Sequence, residues 1–203
     1  MPLTTYSELL DAVHRWSGYG DGKPVPTRIS NAAIDAVALA ETDLNDTLRV
    51  PEMVKRSLFT VSNEFASAPP DLARVINVGR VVQGLEYSLR QVAEDVLPSY
   101  SRAYAGDQMW FALVGLEFRF APAPTTAAPL TARVTYYANV DPLSGAAPCT
   151  ATLLRHGNCY LYGALKHLAH YTEDDQKQSK WGALQAAEIQ KANRAAALRD
   201  ASL

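Results

Sequence analysis

Along this chain the spacing of apolar residues changes repeatedly between helical and strand periods, and that change limits the fold more than any other feature. From about Arg28 to Leu48 the positions Ile29, Ala33, Val37, Ala40, Leu44 and Leu48 recur at helical spacing, with Asn31, Asp35, Thr42, Asp43 and Asp46 facing water. From 53 to 82 the runs "MVKRSLFTV" and "RVINVGRVV" are short and rich in β-branched residues. They read as two strands joined by the turn "ASAPPD". Further strands are expected at about 109–120 and 131–140. In the first, Leu116, Phe118 and Phe120 alternate with Glu117 and Arg119; in the second, Val134, Tyr136 and Ala138 alternate with Arg133, Thr135, Tyr137 and Asn139. After Asn158 the helical period returns with Leu161, Leu165 and Leu168.

The remaining segments fill in this helix–strand–helix order. Thr5-Tyr6-Ser7-Glu8 is a capping box that opens a helix burying Leu9, Leu10, Val13 and Trp16. "LEYSLRQVAEDVL" (85–97) has the helical spacing Leu85, Leu89, Val92 and Val96, and Pro98 stops it. "TEDDQKQSK" links the helix at 158–172 to a last helix beginning near Trp181. Eight of residues 183–201 are Ala, so helix propensity is high there while little is left for a core to hold. The expectation is an α+β fold: a helical bundle from residues 1–50 and 150–203, ending in a C-terminal arm, with a small antiparallel β-rich subdomain inserted at 51–149.

Composition narrows the function. Of 203 residues 48% are hydrophobic and 20% charged, as in ordinary globular proteins. The net charge of −2 gives no global sign of nucleic-acid binding. Charge is unevenly placed: residues 1–52 carry 4 Lys/Arg against 8 Asp/Glu, and residues 177–203 carry 5 against 2. An acidic head and a basic tail suit copies that meet side by side, or a tail that docks on an acidic partner. No apolar run approaches the ~20 residues of a membrane span, and Glu8 and Asp11 do not fit a signal peptide. Cys149 and Cys159, ten residues apart, match no metal or redox spacing, which points to free thiols in a cytoplasmic product.

Chemistry-bearing motifs are incomplete. "GYGDGKP" lacks the spacing and the hydroxyl residue of a phosphate loop. His167 and His170, with Glu173-Asp174-Asp175 one turn on, are the one candidate for a metal-dependent enzyme, but the metalloprotease spacing of four with an intervening Glu is missing; two solvent-facing histidines are expected. No Gly-x-Ser-x-Gly occurs, and His156 is the sole potential activator near Cys159. Tyr136-Tyr137 and the pair Tyr160/Tyr162 read as core and interface aromatics. The expected catalytic, cofactor and metal residues are therefore none.

The order of features carries a resemblance. A "PPDL" turn (69–72) precedes a Val-rich strand, a strand ends in "APAP", and another reads "VTYYANV". "CYLYGALKHLAHY", a polar linker and Trp181 follow. This order resembles the head–tail adaptor (connector) proteins of tailed bacteriophages that carry a β-insertion in a helical bundle. The resemblance implies a non-enzymatic virion protein without cofactors, made in the bacterial host cytoplasm and placed at the portal vertex. It implies a ring, commonly of twelve copies, beneath the portal, which extends the DNA channel and binds the portal above and a tail, nozzle or stopper protein below. DNA would be passing cargo only. Arg194, Leu198, Arg199 and Leu203 are then candidates for a portal-docking arm, and Pro122, Pro124, Pro129 and Tyr137 for an assembly surface on the insertion. A tail-completion or terminator protein of the virion is the alternative.

Overall fold

The computed structural model describes residues 3–20, 24–103 and 109–200. The chain divides into two compact units, one formed by Met1–Met53 with Val140–Leu203 and the other by Val54–Asn139.

The first unit is helical. Helix α1 (Tyr6–Ser17) opens with the expected capping box, in which the Glu8 amide donates to Thr5 Oγ1 at 3.2 Å and the Thr5 amide to Glu8 Oε2 at 3.1 Å. Gly18, at φ 91°, ends it in the left-handed region that glycine enters without steric cost. Trp16, expected on the buried face, is instead half-exposed. Helix α2 (Thr27–Thr47) buries Ile29, Ala33, Val37, Ala40 and Leu44, and Leu48 just beyond it is buried too, as their spacing requires. The segment after residue 139 is tied to α2: the Val140 amide donates to Asn45 Oδ1 at 2.7 Å and the Leu143 amide to the buried Glu41 at 2.8 Å.

Helix α4 (Ala151–Tyr171) starts seven residues before the expected Asn158, capped by Thr150, whose Oγ1 accepts from the Leu153 amide at 3.1 Å. A kink lies just before the expected start. His156 departs from helical geometry at φ −125°, ψ 31°, and the helix continues on both sides of the kink. Helix α5 (Asp175–Asp200) likewise begins six residues before Trp181. The acidic linker is mostly its first turns, and Asp174 Oδ1 accepts from the Lys177 amide at 3.0 Å. Trp181 is buried within α5 rather than opening it. Gly163 sets the closeness of the three long helices. A Cβ built there would lie 2.8 Å from Ala40 Cβ on α2 and 2.6 Å from Gln185 Nε2 on α5.

The second unit holds two four-stranded sheets. The first has the order β1 (Val54–Val61), β8 (Leu130–Ala138), β3 (Leu72–Val82), β4 (Leu85–Ser88), with every pair antiparallel. The second has the order β2 (Phe65–Ser67), β7 (Glu117–Ala121), β6 (Trp110–Val114), β5 (Arg90–Gln91), and its β5–β6 pair is parallel. Three expectations need correction. The two strands at 53–82 do not pair with each other: β8 lies between β1 and β3, and the connection contains β2, which joins the other sheet. The segment 85–97 is not a helix. Gln83 (φ 50°) and Gly84 (φ 83°) make a tight hairpin turn from β3 into β4, and β5 follows. Its apolar residues serve different places, Leu85 being exposed, Leu89 packing on one cluster and Val92 on another, so their helical spacing is incidental. Helix α3 (Leu97–Ala103) starts where a stop was expected, because Pro98 falls in its first turn, where no N–H is needed. The run 109–120 is a hairpin rather than one strand. Gly115 (φ 61°) turns it, leaving Leu116 exposed at the turn while Phe118 and Phe120 are buried.

Between the sheets lies a core that includes Val61, Val78, Phe111, Phe118, Phe120, Leu130, Val134 and Tyr136. Strict alternation along β8 places Leu130, Ala132, Val134, Tyr136 and Ala138 on this side. Leu97, Trp110, Ala112 and Ala121 form a second cluster between the second sheet and α3, so the unit is built in three layers.

Candidate assembly surfaces

The turn and the strand that carry the sequence resemblance are joined in space. In "PPDL" the Leu72 amide donates to the Pro69 carbonyl at 3.1 Å, closing the turn. Asp71 then accepts from Tyr136 Oη at 2.9 Å and from Lys55 Nζ at 2.9 Å, while its carbonyl accepts from the Asn139 amide at 2.7 Å. Burial alone would raise the Asp71 carboxyl; the bonds from Lys55 and Tyr136 outweigh it and hold the group below its ordinary value.

This clamp fixes β8, whose other side presents Arg133, Thr135 and Tyr137. By register, Arg56 lies beside Thr135 and Arg74 beside Tyr137, and both arginines are exposed. Arg133 pairs with Glu86 at 3.0 Å, and Leu58 is exposed beside it. The outward face of this sheet is thus polar, net basic and open.

The proline-rich loop occupies the far end of β8. Pro122, after a cis peptide bond, is half-buried, Pro124 is buried, and Pro129 is exposed. Thr125 and Ala128 exchange backbone hydrogen bonds of 3.3 and 3.1 Å, which tightens the tip. Pro129 and Tyr137 are eight residues apart on an extended strand, or roughly 26 Å. The four candidate residues of the insertion therefore fall at two separate places.

On α5, Arg194, Leu198 and Arg199 are all exposed, whereas Leu203 lies outside the described residues. The helix is nonetheless held along its length. Asn193 Oδ1 accepts from the Arg49 amide at 2.8 Å, its Nδ2 donates to the Thr47 carbonyl at 3.0 Å, and Ala196 is buried. Small side chains suffice there because α5 approaches α4 closely.

The histidine motif resolves differently from its sequence reading. His170 is exposed, but His167 is not solvent-facing: its Nε2 lies 2.8 Å from Asp43 Oδ2, which also pairs with Lys166. Burial pushes the Asp43 carboxyl up, and its hydrogen bonds with Lys166 and His167 more than reverse it. Among the described residues no three His, Cys, Asp or Glu side chains converge as a metal site requires. His156 meets Glu52 at 3.4 Å, and burial pushes the Cys159 thiol up to about 12, which leaves no reactive thiolate. Of "GYGDGKP", Asp21, Gly22 and Lys23 lie outside the described residues. No helix among the described residues is long and apolar enough to cross a membrane.

Two surface features escaped the sequence reading. Tyr162 stacks on Trp181 at 5.9 Å and 13°, and Trp16 tilts against both rings while remaining half-exposed. Ile34 and Leu39 stand exposed on the polar side of α2, and Leu184 is partly exposed on α5. The signal for these was available: large apolar residues at positions that the helical stripe assigns to solvent.

Among curated proteins, none matches the chain in sequence. The family model described as SU10 adaptor protein matches residues 4–202. That match spans both units, from the capping box of α1 to the end of α5, and with it the chain belongs to the SU10 adaptor protein family, a family of phage head–tail adaptors.

Proposed function

We propose that this adaptor forms a ring of twelve copies beneath the portal of a tailed phage, extends the DNA channel and docks the tail. The observation that carries the reading is the family match over residues 4–202 on a chain whose helical unit is interrupted by a β-sandwich. In this reading the exposed end of α5, with Arg194, Leu198 and Arg199, reaches the portal. The open face of the first sheet and the 125–129 tip meet a tail, nozzle or stopper protein. The protein works by geometry and binding at the head–tail junction, without catalysis. DNA only passes through, which suits a net charge of −2, since a strongly basic lumen would hold the phosphate backbone.

Quantitative mass spectrometry of purified particles tests this directly. A copy ratio to portal protein near one is expected. Absence of the chain from particles would end the reading.

A further inference from the structure

Within the helical unit, two helices present outward stripes of opposite character. On α5, Lys180, Leu184, Ala187 and Lys191 are exposed at intervals of four, three and four residues, so they fall within roughly 40° of one line along the helix. This stripe is basic with an apolar centre, Leu184 being 37% exposed. On α2, Asp35, Leu39 and Asp46 form the counterpart at intervals of four and seven residues, within roughly 20° of one line along the helix, with Leu39 50% exposed. Neither the Asp35 nor the Asp46 carboxylate pairs with a cation among the described residues. The two stripes match in reach, each about 16 Å at the helical rise.

Both stripes lie on the solvent side of helices whose other sides are already used. Helix α4 packs against both α2 and α5, and the buried residues of α2 face inward. What remains outward on each is exposed among the described residues, and large exposed leucines there need cover. The side chains on α5 are free to rearrange at little cost. Lys191 reaches Glu188 only at 3.5 Å in an exposed pair, and Lys180 lies over the Trp181 ring at 4.9 Å.

We propose that the α5 stripe of one copy binds the α2 stripe of a second copy of this chain. The inference rests on the ring reading above and names the surfaces that build the ring. Each face alone would repel itself, Lys against Lys or Asp against Asp, so a two-fold dimer through either stripe is disfavoured. Pairing the basic stripe with the acidic one is head-to-tail, and a head-to-tail contact repeats around a ring when its rotation closes. Leu184 covers Leu39 at the centre, while Lys180 and Lys191 meet Asp35 and Asp46 at the rim. The last turns of α5, from Arg194 on, stay available for the portal.

The test uses the full chain and sedimentation velocity over a concentration series. The wild type is expected to associate, and D35K/D46K and K180E/K191E each to weaken association at least ~10-fold. The fourfold exchange D35K/D46K/K180E/K191E should restore association with itself but not with the wild type. All four positions are exposed, and unchanged circular dichroism and melting temperature confirm that each variant folds. The proposal is overturned if the wild type stays monomeric up to its solubility limit, if either double variant associates like the wild type, or if the folded fourfold variant does not recover. Particle mass spectrometry separates this from the adaptor reading. A chain present in particles whose association ignores these substitutions loses only the interface. A chain absent from particles whose association follows them keeps the interface and loses the role.

Discussion

The Tyr136 hydroxyl donates to Asp71 across 2.9 Å, tying the turn before β3 to the central strand of the first sheet. The phenol ring is in the sandwich core while its hydroxyl reaches the polar turn, so one residue serves both layers. Tyr136→Phe keeps the ring and removes the bond, leaving Asp71 to Lys55 alone. A loss of about 1.5–3 kcal/mol in denaturant unfolding is expected, as for a hydrogen bond to a charged group.

Acid should destabilise the protein through the same carboxylate. The Asp71 and Asp43 carboxyls are both held below their ordinary value in the fold, so the unfolded chain takes up protons first as pH falls. Their contribution is complete above the unfolded carboxylate range. It is lost as pH drops from about 5 down through the folded values. Unfolding curves at pH 7 and pH 4 should converge for D43N/D71N relative to the wild type. Equal pH sensitivity in both proteins would assign the acid response to other groups.

Two helical glycines should respond in opposite directions to alanine. Helix propensity alone favours Ala at either by up to about 1 kcal/mol. At Gly163 the new methyl would meet Ala40 Cβ at 2.8 Å, which cannot swing aside, and overpacking of about 1–3 kcal/mol wins. At Gly182 the nearest atom is the flexible Lys166 Cδ at 3.6 Å, so G182A should stabilise. Thermal melts of the two variants decide the matter by sign.

Portal binding should depend on the end of α5. R194E/L198E/R199E changes only exposed positions, so helicity should be kept while binding to purified portal falls more than ~10-fold. Substitution is a cleaner test than truncation from residue 190, which would also remove the bonds of Asn193 to Arg49 and Thr47. Undiminished binding by the triple variant would remove these residues from the portal contact.

How far the fold could be read from the sequence depended on whether a pattern had one cause. The stripe of α2 and the alternation of β8 each serve a single packed face, and both appear as expected. Residues 85–97 failed because Leu85, Leu89 and Val92 answer to different surroundings, and their helical spacing has no common face behind it. Strand order was illegible for another reason: nothing local in β1 or β3 says that β8, some 50 residues on from β3, will lie between them. Of the α5 candidates, Arg194, Leu198 and Arg199 stand exposed. The exposed Ile34 and Leu39 were passed over because the polar side of α2 was read for its polar residues only.

The pairing of Val54 with Tyr137 means that the chain enters and leaves the β-unit through neighbouring strands, only about 5 Å apart. Seen from the helices, 86 residues occupy no more room in the backbone than a tight loop would. A lineage could therefore lengthen, trim or trade this cassette as its tail proteins diverge, with the helices inherited unaltered on either side of the splice.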